Sequence, residues 1–218
     1  MVVIDLSHAI RDGMAAYPGV PAPRFGAIRT HSDTGPYAPG TSFHLGTYAL
    51  GGNTGTYVDA PFHRFPSGAD LASLPLESLV NLPGIVIDAS PDGPTGPEAL
   101  AARSCRGHAV LFRTGWSRLW DTKGYFRSGP FLSRATCETL VRAEVALVGI
   151  DCANIDDMGD PERPAHTVLL AAGIPIVEHL RGLELLPSVG FRFTAAPPAL
   201  VGGTSFPVRA FAVLSVER

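Results

Sequence analysis

The chain has 218 residues, 45% of them hydrophobic and 17% charged, enough to bury a substantial core within one domain spanning 1–218. Its formal net charge is −3 and it holds no lysine or arginine block able to follow a phosphate backbone, so a nucleic-acid partner is not expected. No apolar run reaches the ~18 to 20 residues of a membrane span, and the opening, with Asp5 inside a strand-like run, is unlike a signal peptide; the expected compartment is the cytoplasm, with no membrane partner.

The first β-branched apolar run, residues 2–6, reads as a buried strand. Residues 13–41, crowded with Gly, Pro and Ala, read as a long loop whose Tyr17, Phe25, His31 and Tyr37 suit a lid or a subunit contact. A second such loop covers 51–70. Further strands are expected at 84–89, 109–113, 145–151, 174–177 and 208–214. Helices are fewer. Residues 97–103 open on a proline, 133–143 follow a serine cap, and 166–172 form an apolar turn closed by Gly173. Strands outnumber helices but both recur, which predicts an α/β fold: a mixed, largely buried sheet with a few covering helices.

Cys105, Cys137 and Cys152 are odd in number and widely spaced, so neither a disulfide framework nor a zinc knuckle is expected; they read as structural thiols, with a nucleophilic role as the alternative for Cys152, which adjoins the site through Asp151. The informative stretch is NTGTYVDAPFHRF, residues 53–65, which sets an acid and an imidazole four residues apart in a Gly/Thr/Pro-rich segment. Gly55 frees the backbone and Pro61 biases Ala60 away from helix. A histidine such as His63 exchanges protons near neutral pH because its ordinary pKa is ~6.5. Asp59 is readable as a metal ligand, as a carboxylate orienting an imidazole, or as a loop-capping residue.

This stretch resembles the signature HxGTHxDxPxH of the cyclase family that includes bacterial kynurenine formamidases and isatin hydrolases. Gly55, Thr56, Asp59, Pro61 and His63 match, whereas Asn53 and Tyr57 stand where the family has two metal-binding histidines. The resemblance runs nearly the full length, through VVIDLSHAIRDGMAAYPG, AVLFRTGW, VALVGIDCANIDD and PAHTVLLAAGIPIVEHL. It implies a swivelling β/β/α domain, a homodimer or homotetramer, His63 as general base or acid, and His166 and Glu178 as further ligands beside Asp59. The implied reaction is hydrolysis, or its reverse as ring closure, at an amide, lactone or cyclic carbonyl bond of a small molecule.

Two site readings stay open. One histidine and two carboxylates, His166, Asp59 and Glu178, suit a single zinc or manganese ion. Alternatively no metal binds, and Asn53 and Tyr57 polarise a carbonyl while His63 and Asp59 move protons. A metal-independent cyclase or dehydratase of a secondary-metabolite pathway, and a non-catalytic small-molecule binder, are the alternative functions. Tyr17, Phe62 and Trp116 are candidates for an apolar substrate pocket. Arg64 and Arg113 suit either a substrate carboxylate or structural ion pairs. His31, His44, His108 and His179 are read as structural, and His8 as near the site without a catalytic role.

Overall fold

The computed structural model describes residues 1–33, 35–100 and 103–214. In chain order its strands are β1 (Val2–Asp5), β2 (Arg24–Arg29), β3 (Leu45–Ala49), β4 (Tyr57–Asp59), β5 (Leu82–Asp88), β6 (Pro94–Thr95), β7 (Ala109–Arg113), β8 (Phe131–Leu132), β9 (Leu147–Ile150), β10 (Ile176–Glu178), β11 (Phe191–Thr194), β12 (Ser205–Pro207) and β13 (Phe211–Leu214). Two α-helices, α1 (Arg134–Arg142) and α2 (Pro164–Ala171), accompany them. Nine strands form one mixed sheet in the order β1-β13-β11-β5-β7-β9-β10-β4-β12. This is the α/β architecture predicted from the sequence.

The middle of the sheet, β5-β7-β9-β10, is parallel, and both flanks are antiparallel. Parallel strands covered on both faces read as unbroken apolar runs, as β7 (AVLFR) and β9 (LVGI) do. Alternation along β7 sends Ala109 and Leu111 to one core, with Val58, Val177, Leu180 and Phe193, and Val110 and Phe112 to the other, with Leu140, Leu169 and Ile150. The second core is the one that α1 and α2 close. Ser133 caps α1 by accepting a hydrogen bond from the Thr136 amide at 3.2 Å.

Four expectations change. Residues 51–70 are not one loop: Tyr57–Asp59 forms a sheet strand and Pro61–His63 a turn of 3-10 helix. The predicted loop 13–41 contains β2, which pairs with β3 as a separate hairpin; both are exposed on both faces and so lack the apolar alternation that marks a strand. The predicted helix at 97–103 is a 3-10 turn over Pro97–Leu100, and its Ala101 and Ala102 lie outside the described residues. Finally, the strand expected at 174–177 is shifted to Ile176–Glu178, which carries Glu178 into the sheet.

Candidate active site

Strand register assembles the site. Pairing of β10 with β4 sets Glu178 opposite Tyr57 and Ile176 opposite Asp59, and pairing of β12 with β4 sets Ser205 opposite Asp59. Directly opposed side chains on one face of an antiparallel pair lie within reach of each other. The Tyr57 hydroxyl accordingly donates to Glu178 Oε2, and the Ser205 hydroxyl donates to Asp59 Oδ1. Gly55 makes the entry to β4: its φ is +67°, and a Cβ there would stand 2.8 Å from Ile10 Cγ1.

His166 reaches the same place from the first turn of α2. Asp156 accepts the amides of Ala165 (2.5 Å) and His166 (3.2 Å) and faces the His166 Nδ1 atom at 2.6 Å. One carboxylate thereby caps the helix start and fixes the ring. Because Nδ1–H donates to Asp156, Nε2 is the nitrogen that faces inward, 3.6 Å from Asp59 Oδ2 and 4.0 Å from Glu178 Oε1. The helix is entered through Arg163, held at φ 49° in the left-handed region, a conformation costing a side-chain-bearing residue about 1–2 kcal/mol.

His63 sits in the 3-10 turn after β4, with Nδ1 3.0 Å from Ser205 Oγ and 3.8 Å from Asp59 Oδ1. The single Ser205 proton goes to the Asp59 carboxylate, so Ser205 accepts from His63 Nδ1–H. That leaves His63 Nε2 as the free basic nitrogen. Asn53 Nδ2 lies 3.3 Å from Asp59 Oδ1, and Glu178 Oε1 accepts the Ile155 amide at 2.6 Å.

The buried charges push one another. Burial favours neutral Asp59, but His166, His63 and Ser205 outweigh it and hold its pKa below the ordinary aspartate value. Burial likewise opposes a charge on His166, yet Asp156, Asp59 and Glu178 carry its pKa well above the ordinary histidine value. Glu178 is raised to about 7, chiefly by burial and against the pull of His166. Burial and the charges of Glu178 and Asp59 keep Tyr57 a phenol and a donor. The Cys152 thiol is buried, its pKa raised by burial, and it donates to backbone carbonyls; it stays a structural thiol.

Asp59 Oδ2 is fully buried and has no hydrogen-bond partner among the described residues. An orphaned carboxylate oxygen is costly, and a divalent cation is one way to satisfy it. Its 3.6 Å spacing from His166 Nε2 is near the about 3.4 Å between neighbouring ligands that zinc bonds of 2.0–2.2 Å at tetrahedral angles produce. Asp59, His63 and His166 also offer ligand atoms that all lie within 4.8 Å of one another. The donor set therefore fits a divalent metal.

These groups border a cavity of about 280 Å³ whose wall includes Tyr17, Asn53, Tyr57, His63, His166 and Glu178. Asp59 is buried behind that wall. Of the three candidate pocket aromatics only Tyr17 lines the cavity. Phe62 is not among its lining residues, and Trp116 packs against the second core, its indole donating to the Tyr125 carbonyl at 2.9 Å. Arg113 is tied to Asp88 at 2.6 Å, whereas Arg64 lines the cavity. Asp156, Ser205, Asn154 and Arg163 were not singled out from the sequence. Asp156 and Asn154 lay unmarked in the VALVGIDCANIDD match, and no local pattern identifies Ser205, which arrives from 146 residues beyond Asp59.

The family model described as "Putative cyclase" matches residues 4–157. The kynurenine formamidase of Salinibacter ruber is 32% identical over 215 residues, covering 96% of each chain. Among solved structures, isatin hydrolase A from Ralstonia solanacearum superposes with a TM-score of 0.85 at 25% identity, over 98% of this chain and 92% of that one. A structure described as a potential metal-dependent hydrolase with cyclase activity superposes with a TM-score of 0.79 at 27% identity, over 97% and 96%. With a motif, a fold and a near full-length relative in agreement, the chain belongs to the putative cyclase family.

Proposed function

We propose that this chain is a hydrolase that adds water across a carbonyl C–N bond of a small molecule, an amide, formamide or cyclic amide, releasing a carboxylate and an amine. The activities of its relatives, a kynurenine formamidase and an isatin hydrolase, support the bond type. The observation that carries the reading is Asp59 Oδ2, buried without a hydrogen-bond partner among the described residues, with His63 and His166 close enough to Asp59 to share an ion with it. Asp59, His166 and Glu178 would hold a single zinc or manganese ion. Such an ion, when bound, polarises a carbonyl and lowers the pKa of water.

The remaining work falls to the chain's own groups. His63 Nε2 takes a proton from the attacking water and returns it to the leaving nitrogen, its Nδ1 proton meanwhile anchored on Ser205. Asp156 holds His166 in one tautomer. Tyr17 and Val20 supply the apolar wall. A second reading, a metal-independent cyclase or dehydratase, is favoured by Tyr57 and Asn53, which satisfy Glu178 and Asp59 Oδ1 without an ion.

Metal analysis of protein purified without chelators, run beside an assay for formate release from formanilide, separates the two. About one equivalent of metal, with activity lost to a chelator and restored by zinc or manganese, supports the first reading. Formate release that persists without metal removes the ion from the first reading, and metal-free protein that releases no formate supports the second. A homodimer or homotetramer is proposed as well; Ile28 and Tyr48, 77% and 67% exposed on the β2–β3 hairpin, are apolar surface suited to burial in it. Sedimentation showing a monomer would remove that part.

A further inference from the structure

Two arginines line the cavity, and neither has a carboxylate within ion-pairing distance among the described residues. Other arginines do pair: Arg11, Arg106, Arg113, Arg134 and Arg209 each meet an acid on the surface. What sets Arg64 and Arg163 apart from the other arginines without an ion pair is their place on the cavity wall, in the segments that carry the site histidines. Arg64 follows His63 directly, and Arg163 is the residue from which α2 sets out toward His166.

Both guanidinium groups are anchored through neutral atoms only. Arg64 Nε donates to Thr167 Oγ1 at 3.2 Å, and its guanidinium carbon lies 5.6 Å from the Phe65 ring centroid. Arg163 reaches the carbonyls of Asp157 (3.3 Å) and Met158 (3.4 Å). Hydrogen bonds to hydroxyl and carbonyl oxygens orient a guanidinium without neutralising it. Most of the five donors on each remain for a ligand, and the planar fork matches a carboxylate. The left-handed backbone at Arg163 places a strained side-chain-bearing residue at the cavity wall, where strain commonly accompanies binding.

We propose that Arg64 and Arg163 form a carboxylate-recognising pair, so that the preferred substrate carries an anionic group apart from the bond that is cleaved. This rests on the hydrolase reading of the same cavity. The anion is held by two positive groups on the histidine-bearing wall, while Asp59 and Asp156 lie buried behind it and Glu178, itself buried, is the one acid in the lining. Charge sorting of this kind selects anionic over neutral amides of equal size.

The test uses the full chain and two matched pairs of probes. Benzoate and benzamide have the same shape and differ in charge; their binding is measured by calorimetry in the wild-type protein and in Arg64→Gln and Arg163→Gln. Glutamine is no more strained than arginine at the Arg163 backbone, and circular dichroism confirms folding. Wild type should bind benzoate at least tenfold more tightly than benzamide. Each variant should lose about tenfold or more for benzoate and little for benzamide, as expected for removal of a charge-assisted bond. Arg163→Lys should recover part of the loss, because charge without the fork remains.

Turnover of 2-formamidobenzoate and formanilide then reports the hydrolase reading independently. Hydrolysis of both at equal kcat/KM, with benzoate binding unchanged in the variants, overturns the arginine pair and leaves the hydrolase standing. Arginine-dependent benzoate binding without formate release from either probe upholds the pair and removes the formamidase-type activity. Benzoate affinity that is equal in wild type and both variants overturns the proposal whatever the turnover.

Discussion

On the cavity side of Tyr57, His166 is packed among Asp59, Asp156 and Glu178; on its other side, His179 and His8 are packed among Trp120, Tyr125 and Phe126. Tyr57 joins the two regions, its hydroxyl on Glu178 and its ring edge-to-face with His179 at 5.0 Å. His8 stacks on Trp120 at 4.0 Å, and the rings of Trp120, Tyr125 and Phe126 lie 5.4 to 6.0 Å from His179. Burial opposes protonation in both places. Among the acids it is overcome, and His166 holds its proton far above the ordinary range. Among the aromatics burial wins: it pushes His8 down to about 3, and His179 to about 4 against the Ala153 and Gly55 carbonyls and the Asp59 charge, all of which favour the charged ring. The neighbours thus favour the charged ring in one region and the neutral ring in the other, and a divalent ion on His166 Nε2 would take the place of that nitrogen's proton.

The sharpest way to break this comparison is to remove the one site histidine that keeps a free nitrogen. His63→Ala should lower kcat about 100- to 10,000-fold, the usual worth of general acid–base catalysis, with the fold and the metal content unchanged. Near-normal kcat would take His63 out of the mechanism, and loss of the metal alongside activity would make it a ligand instead of a shuttle.

A smaller effect should follow from loosening His166. Asp156→Asn removes the charge that orients the ring, fixes its Nδ1–H tautomer and makes Nε2 a better donor, and should weaken zinc or manganese binding about 10- to 100-fold, as loss of a supporting carboxylate typically does. Metal titration of the folded variant reads this directly. Unchanged affinity would mean that the cap on α2, and not the ring orientation, is what Asp156 provides.

Next in size, Tyr57→Phe deletes the hydroxyl that joins the two regions. It leaves buried Glu178 one donor short and should cost about 2–3 kcal/mol of stability, measured by denaturant unfolding at pH 7. An unchanged midpoint would show that water or another group replaces the phenol at no cost.

The aromatic side makes the mildest prediction. The folded pKa of His8, about 3, lies below its unfolded value, so the unfolded chain takes up the proton first as pH falls. The contribution of neutral His8 is fully present above ~6.5 and is lost as pH drops toward 3; allowing for its partial solvent access, it is on the order of 1 kcal/mol. His8→Phe keeps the stack on Trp120 and should show a smaller fall in unfolding midpoint between pH 7 and pH 4.5. An identical fall in both proteins would mean that the aromatic region does not hold His8 neutral.

The apolar runs at 109–113 and 145–151 and the serine cap of α1 were legible because each is a local pattern, contained within a few residues. Asp59 and His63 were legible too, four apart in one segment rich in glycine and proline. By itself, the sequence determined the α/β class, the family and the side chains of the signature. Only the tertiary structure decided what those side chains face. β4 hid inside an expected loop because three residues are too few to show a period. Its register against β10 and β12 then chose Glu178 as the partner of Tyr57 and Ser205 as the partner of Asp59, across separations of 121 and 146 residues. Asp156 and Arg163 gained their roles the same way, when α2 was set down against the sheet. Such pairings carry no local signal, since hydrogen bonds and charge act over a few ångströms and the chain brings those atoms together only once the sheet has closed.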